Sequence, residues 1–410
     1  MRFLRITTNY PSYLNQFYTR NSDLKNKAYS SQHQQLIEDC FGWSDFWSHS
    51  MEPLGYQGKD CLANAEYLQK AWAKENNINF AEKYWIEEIL LAQVKDYSPN
   101  VLFIDDYASF TKIFIDDLRQ ECSSIKLIIG WCGAPFIDNS IFSSYDIVLS
   151  NILEFVQVFR DQGRKAEYVK HAFDSRILSK INCDQPKSVN FSFIGSIFKG
   201  SGYHLQREQF IKELVKKTDL EIWSDLSLSS AKEINKLPIH QVIYDFVQIS
   251  RQFPILIPVI SKTPKVRHYL KKTSRPSLDD YIDPIIINNS NLPIYGLSMF
   301  QQLANSKLTL NNHINASSQS ASNMRMFEAT GVGTCLLTDW KENLSELFEI
   351  DKEVISYKSV DECIEKAKWL LEHPKEREEI AKAGQARTLK DHTFAQRAIQ
   401  LDSIIKKTSI

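Results

Sequence analysis

Short apolar runs of four to eight residues recur along the chain, and between them apolar positions fall three and four apart. MRFLRITT (1–8), VLFID (101–105), KLIIGWC (126–132) and YDIVLS (145–150) are runs of the first kind and read as strands. Residues 64–76, 83–97 and 110–122 keep the helical period between them. Such alternation predicts parallel sheets with helices on both faces. The pattern breaks at SKINCDQPKS (179–188), which is poor in apolar residues and carries a proline. It restarts with VNFSFIG (189–195), a helix from about Tyr203, LEIWS (220–224), PIIIN (284–288), KLTLNN (307–312), TCLLTD (334–339) and EVISY (353–357). The expectation is two doubly wound domains, 1–180 and 181–390. A helical insertion at about 226–282, broken at Pro238, Pro254, Pro258 and Pro264, interrupts the second. A terminal helix over 391–410 crosses back to brace the first domain.

Composition narrows the class. A chain of 410 residues has room for two or three domains. With 43% hydrophobic and 24% charged residues it is ordinary for a soluble globular protein. A net charge of −1 sets up no global field for nucleic acid, which is therefore not an expected partner. No apolar run approaches the roughly 18 residues of a membrane span. The opening stretch lacks a continuous apolar core and a small-residue cleavage site, so it reads as a strand and not as a signal peptide. The 7 cysteines are scattered, odd in number and never spaced CxxC. That argues against a disulfide framework or zinc site and fits a reducing, cytoplasmic setting.

Ligands of doubly wound sheets bind beyond the carboxyl ends of the strands, so the candidate chemistry lies there. After VNFSFIG comes GSIFKGSGYHLQREQF (195–210). Gly195 and Ser196 open a glycine-serine loop before a helix, whose first amides favour an anion. Lys199, His204 and Arg207 add positive charge, which suits a diphosphate; the plain alternative is a strand-to-helix turn. The spacing is not that of a Walker A loop. After KLTLNN, Asn311, His313, Asn323 and Arg325 offer hydrogen bonds to a sugar or phosphate, although a lone strand-end histidine is more often satisfied by backbone. In NMRMFEATGVGTCLLTD (323–339) the helix is largely apolar at Met324, Phe327 and Ala329. Glu328 on that helix needs a partner. A ribose with two hydroxyls would serve, and so would a lysine or arginine. Gly331 ends the helix and Gly333 permits a tight turn into the strand. In the first half, Asn9, Tyr10, Asp105, Asp106, Cys132 and Gly133 follow strands and would line the facing wall. One adjacent acidic pair without other clustered ligands is weak evidence for a metal, so neither metal nor cofactor is expected. Trp43, Phe46 and Trp47 suit a core, or else a peripheral membrane patch.

The stretches NMRMFEATGVGTCLLTDWKENLSELFE and EVISYKSVDECIEKAKWLLEHPKEREEIAKAGQARTLKDHT resemble the C-terminal domain of GT-B glycosyltransferases. More narrowly they resemble the spore-maturation-protein-type branch of the group 1 enzymes. PIYGLSMFQQLANSKLTLNNHIN, FSFIGS and YDIVLSN extend the likeness upstream. NYPSYLNQFY, CFGWSDFWSHSMEPLGYQ and NAEYLQKAWAKEN fit the N-terminal domain. Most of the chain is covered, least clearly 226–282. The resemblance implies two Rossmann-like domains facing across a cleft, with a nucleotide-sugar donor in the second and an acceptor in the first. By that analogy Glu328 holds the ribose, the Gly331–Gly333 region supports the nucleotide, Lys199 and Arg207 face the diphosphate, and Arg325 or His313 lies near phosphate or sugar. One departure matters. Retaining relatives carry a sugar-contacting glutamate eight residues before Glu328, where this chain has Ser320, so the stereochemistry stays open. The implied activity is transfer of a hexose-like unit to a hydroxyl of a glycan, lipid-linked or protein acceptor in bacterial surface glycan synthesis. An inverting enzyme would need a base, for which Asp106 and then Asp105 are candidates by position. A nucleotide-sugar epimerase of the same architecture and an inactive nucleotide-sugar-binding scaffold are the alternatives.

Overall fold

The computed structural model describes residues 1–408 apart from 137, 198–204, 227–234, 252–274, 278–280 and 314–318. Residues 1–192 together with 294–410 form one compact unit, and residues 193–293 form a second.

In the first unit, six parallel strands make a sheet of order β2-β1-β3-β4-β5-β6. They are β1 (Arg2–Thr7), β2 (Gln57–Leu62), β3 (Val101–Ile104), β4 (Leu127–Trp131), β5 (Ile147–Ser150) and β6 (Ala166–Tyr168). One face carries Leu4, Ile6, Leu102, Ile104, Ile128 and Val148. These pack on apolar stripes of the helices Trp85–Tyr97, Lys112–Glu121 and Leu153–Asp161, chiefly Leu90, Val94, Phe114, Leu118, Val156 and Phe159. Phe3 and Phe103 lie on the other face, where Trp47 meets Phe103 edge-on at 5.7 Å. The sequence pattern misses β2 and β6. Strands β2 and β6 are the two edges of the sheet; the β2 sequence QGKDCL is half polar, and it pairs with β1 in register from Arg2↔Gln57 to Thr7↔Leu62.

The second sheet has the order β12-β11-β10-β7-β8-β9. Its strands are β7 (Val189–Ile194), β8 (Leu220–Trp223), β9 (Ser290–Asn291), β10 (Ser306–Asn311), β11 (Cys335–Asp339) and β12 (Ile355–Tyr357). PIIIN, expected as a strand, is a short helix, Pro284–Asn288. The Asp283 side chain accepts from the Ile285 amide at 3.0 Å, and proline at the first helical position presets the backbone. A strand of two residues follows it instead. Within the expected insertion, the structure describes the helix Leu237–Arg251, while 227–234, 252–274 and 278–280 lie outside the described residues.

The last helix, Phe394–Thr408, packs across the helix Phe46–Met51. Phe394 meets Phe46 at 5.2 Å and Trp47 at 5.4 Å, and the Tyr56 hydroxyl donates to Asp402 at 2.9 Å. Trp47 is only 1% exposed. Phe46 and Trp47 are therefore core, the first of the two readings of this run. Among the described residues no helix is long and apolar enough to cross a membrane.

Candidate functional site

The parallel register of β10 and β11 sets Asn311 beside Thr338, and the Asn311 amide donates to the Thr338 hydroxyl at 2.9 Å. Two residues further on, His313 is buried and its Nδ1 lies 2.6 Å from Asp339 Oδ1. Its Nε2 accepts from the backbone amides of Ser322 and Asn323 at 3.0 and 3.3 Å. Nδ1 is therefore the protonated nitrogen, donating to Asp339. Both ring nitrogens bond within the protein, so His313 orders the segment that enters the next helix and has no nitrogen left for a donor. The Asn323 amide ties the same segment back to Asn311 Oδ1 at 2.9 Å.

That helix is Met324–Gly331. Its buried face carries Met326, Phe327 and Ala329. Glu328 is also buried, at 4% exposure, and Arg325 one turn earlier reaches its Oε2 at 2.7 Å. Burial pushes the Glu328 carboxyl above the ordinary range, and the Arg325 charge pulls it back only in part. The Arg325 side chain remains 21% exposed and also contacts the Met299 sulfur. Gly331 serves packing, because a Cβ there would fall 2.4 Å from the Phe173 ring. Gly333 takes φ +78° in the turn to β11, and its carbonyl accepts from Lys187 at 2.7 Å.

The carboxyl rim of the first sheet holds the other candidates. Asn9 and Asn64 clamp the loops after β1 and β2 through reciprocal amide bonds of 2.8 and 2.7 Å. Tyr10 is 62% exposed, edge-on to Phe41, and feels the charges of Arg325, Glu328 and Asp106. Asp105 pairs with fully buried Arg5 at 2.8 Å, and Arg5 also pairs with Asp60. Burial pushes the Asp105 carboxyl up to about 6 against the pull of Arg5. Asp106 accepts from the Thr8 and Ser109 hydroxyls and from the Ala108 amide, so it shapes its own turn. Burial pushes the Cys132 thiol up to about 12, where it stays neutral and packs in the core. Gly133 lets the chain pass close to Trp131 Nε1 and Asn151 Oδ1, which a Cβ would meet at 2.7 and 2.8 Å.

In the second unit, the Gly195 amide donates to the Trp223 carbonyl at 3.1 Å. The Arg207 guanidinium donates to the Ser196 carbonyl at 3.0 Å and lies over the Phe193 ring at 5.9 Å. Lys199 lies outside the described residues.

Two residues that sequence reasoning missed follow β5. The Asn151 amide donates to the Ser322 carbonyl at 2.8 Å. Glu154 accepts from the Ser320 hydroxyl at 2.6 Å and from the Gln319 amide at 3.3 Å. The strand-end rule that selected Asp105 and Cys132 would have selected them too, had it been applied after YDIVLS.

Two parallel six-stranded sheets with these flanking helices form a GT-B fold. The chain superimposes on sucrose-phosphate synthase from Thermosynechococcus elongatus with a TM-score of 0.54 at 9% identity, covering 99% of this chain and 98% of that one. It superimposes on Anabaena HepE in complex with UDP-glucose with a TM-score of 0.54 at 10% identity, covering 99% and 100%. A glycosyltransferase from Rickettsia africae gives 0.52 at 10% identity, covering 99% and 98%. Residues 279–403 match the model of a family described as glycosyl transferase-like. That match contains the Met324–Gly331 helix and the turn to β11. No curated protein matches the chain in sequence.

Proposed function

We propose that the protein is a glycosyltransferase that moves a hexose-like sugar from a nucleotide-sugar to an acceptor hydroxyl. The observation that carries this reading is Glu328. A carboxylate 4% exposed, with one partly exposed arginine as its partner, sits at a sheet rim inside the glycosyl transferase-like match. For the fold alone such a group is a cost, since burial raises its pKa in spite of Arg325. A vicinal diol repays that cost, because two hydroxyl donors satisfy one carboxylate. Glu328 then holds the ribose, and Arg325 swings toward phosphate when the ribose arrives. HepE has been captured with UDP-glucose and with UDP, and a donor of that class fits this chain.

In this reading the second domain, 181–390, binds the donor, the first, 1–180, receives the acceptor, and the helix over 391–410 joins them. The departing diphosphate gains charge, which helix N-terminal amides together with Lys199 and Arg207 stabilise. Transfer needs no divalent metal. For inverting transfer Asp106 on the rim of the first sheet is the proposed base, because Asp105 is anchored by Arg5. The acceptor is a surface glycan or its lipid-linked or protein-borne precursor, handled on the cytoplasmic side. The narrower kinship is with the spore-maturation-protein-type branch.

The test is a thermal-shift screen against UDP, GDP, CDP, ADP and dTDP and their sugars, with Glu328→Ala alongside. A ligand that binds only the folded state raises the midpoint. A shift with one nucleotide family that is absent in the variant supports the reading. No shift with any ligand, from folded protein, refutes it.

A further inference from the structure

We propose that Asn151 and Glu154, from the first sheet's rim, form a subsite for the sugar of the nucleotide-sugar donor. The inference rests on the glycosyltransferase reading and adds to it residues that precede the family match.

The location comes first. Asn151 follows β5 directly, and Glu154 lies in the first turn of the helix Leu153–Asp161. Both therefore stand at the carboxyl end of a parallel sheet. Their partners Gln319, Ser320 and Ser322 lie between β10 and the Met324–Gly331 helix, at the carboxyl end of the other sheet. Ligands of α/β sheets collect at such ends, and here the two ends meet within one compact unit.

The chemistry comes second. Glu154 is half-buried, yet among the described residues it forms no ion pair and is held only by neutral donors, a hydroxyl and an amide. Two carboxylate oxygens offer about four acceptor sites, so two remain beyond the bonds seen here. An uncompensated negative charge repels phosphate and attracts hydroxyl donors. It therefore suits the sugar end of the donor and not the diphosphate.

An independent observation points the same way. Asn151 is 4% exposed, and its Oδ1 is buried with no hydrogen-bond partner among the described residues. A buried acceptor without a donor is costly, and a ligand hydroxyl supplies the donor. Asn151 and Glu154 thus supply two acceptors three residues apart in the chain, and the hydroxyls of a hexose are the kind of donor that would satisfy them. The Ser320 hydroxyl that donates to Glu154 shows that this carboxylate takes a hydroxyl donor, the kind of group a sugar would bring.

The experiment compares binding of a nucleoside diphosphate with binding of its sugar, using the pair from the panel above that binds wild-type protein most tightly. Calorimetry is run on the full chain carrying Glu154→Gln, Glu154→Ala or Ser320→Ala. Loss of a charged hydrogen-bond acceptor should weaken the sugar nucleotide about ten- to hundredfold in Glu154→Ala, leaving the diphosphate within about twofold. Glu154→Gln, which keeps the shape, should lose part of that factor, and Ser320→Ala should keep the sugar preference. Equal weakening of both ligands in Glu154→Ala and Ser320→Ala would mean that Glu154 only latches the two rims together, and overturns the proposal. Unchanged binding of both ligands in the Glu154 variants overturns it too. Should Glu154→Ala not fold, the Gln variant decides alone. Wild-type protein that binds no member of the panel refutes the glycosyltransferase reading itself, a failure seen before any variant is made.

Discussion

Glu328→Gln should stabilise the ligand-free protein while abolishing nucleotide binding. The carboxyl is buried and its folded-state pKa is raised, first by burial, with Arg325 offsetting only part. The folded state therefore holds the proton more tightly than the unfolded chain does. The stability this contributes is complete below the unfolded value, near 4.5, and is lost as pH rises through the folded pKa. Glutamine carries no such charge, so the variant should melt close to wild type in mild acid and above it at pH 8. Removing one partner of a buried ion pair costs roughly 3–5 kcal/mol when the other is stranded. Here Arg325 is 21% exposed, and glutamine still offers it an oxygen, so that cost largely vanishes. Single stabilising substitutions are commonly worth about 0.5–2 kcal/mol, and about 1 kcal/mol is expected here. For a unit of this size that is a rise of about 2 °C in melting midpoint.

The assay is differential scanning fluorimetry of both proteins from pH 5 to 8.5, without and with the matching nucleotide. At a hundredfold excess over its Kd, a ligand adds about 2.7 kcal/mol to wild type only. The melting order should therefore invert: the variant is higher alone, and wild type is higher with nucleotide. A variant that melts below wild type at pH 8, with a gap that does not open as pH rises, would refute the reasoning. The Arg325–Glu328 pair would then outweigh burial and serve the fold.

Other perturbations test the frame around the site. Trp47→Ala should cost about 3–5 kcal/mol, read by urea unfolding, because Trp47 is 1% exposed and wedged against Phe103 and Phe394. A variant of near-native stability that binds lipid vesicles less well would instead restore the membrane reading of this run. Gly331→Ala should cost about 1–3 kcal/mol by thermal melting, since its Cβ would sit 2.4 Å from the Phe173 ring, and Phe173→Leu in the same chain should recover part of it. Transfer activity should survive a chelator such as EDTA unchanged; a loss restored by Mg²⁺ or Mn²⁺ would contradict metal-independent transfer.

What could be read from the sequence follows the range of the cause. The strands at VLFID and KLIIGWC were visible because burial on both faces demands unbroken apolar runs, a local requirement. PIIIN meets the same requirement and is a helix, because one capping carboxylate at Asp283 and the proline after it outweigh five residues of β-rich composition. Glu328 was visible as a charge needing a partner, and the arginine three residues earlier is the nearest a helix allows. His313 was not legible in the same way. Its role depends on Asp339, 26 residues away, which reaches it only because β10 and β11 pair with Asn311 opposite Thr338. The bond from Ser320 to Glu154 spans 166 residues and two sheets. No periodicity encodes such a pair, since each residue alone reads as an ordinary polar residue near a helix start. Strand ends can therefore be located from sequence, whereas which two of them converge is set by strand order and register. In this chain those place β5 and β10 so that the rims of both sheets share a hydrogen bond.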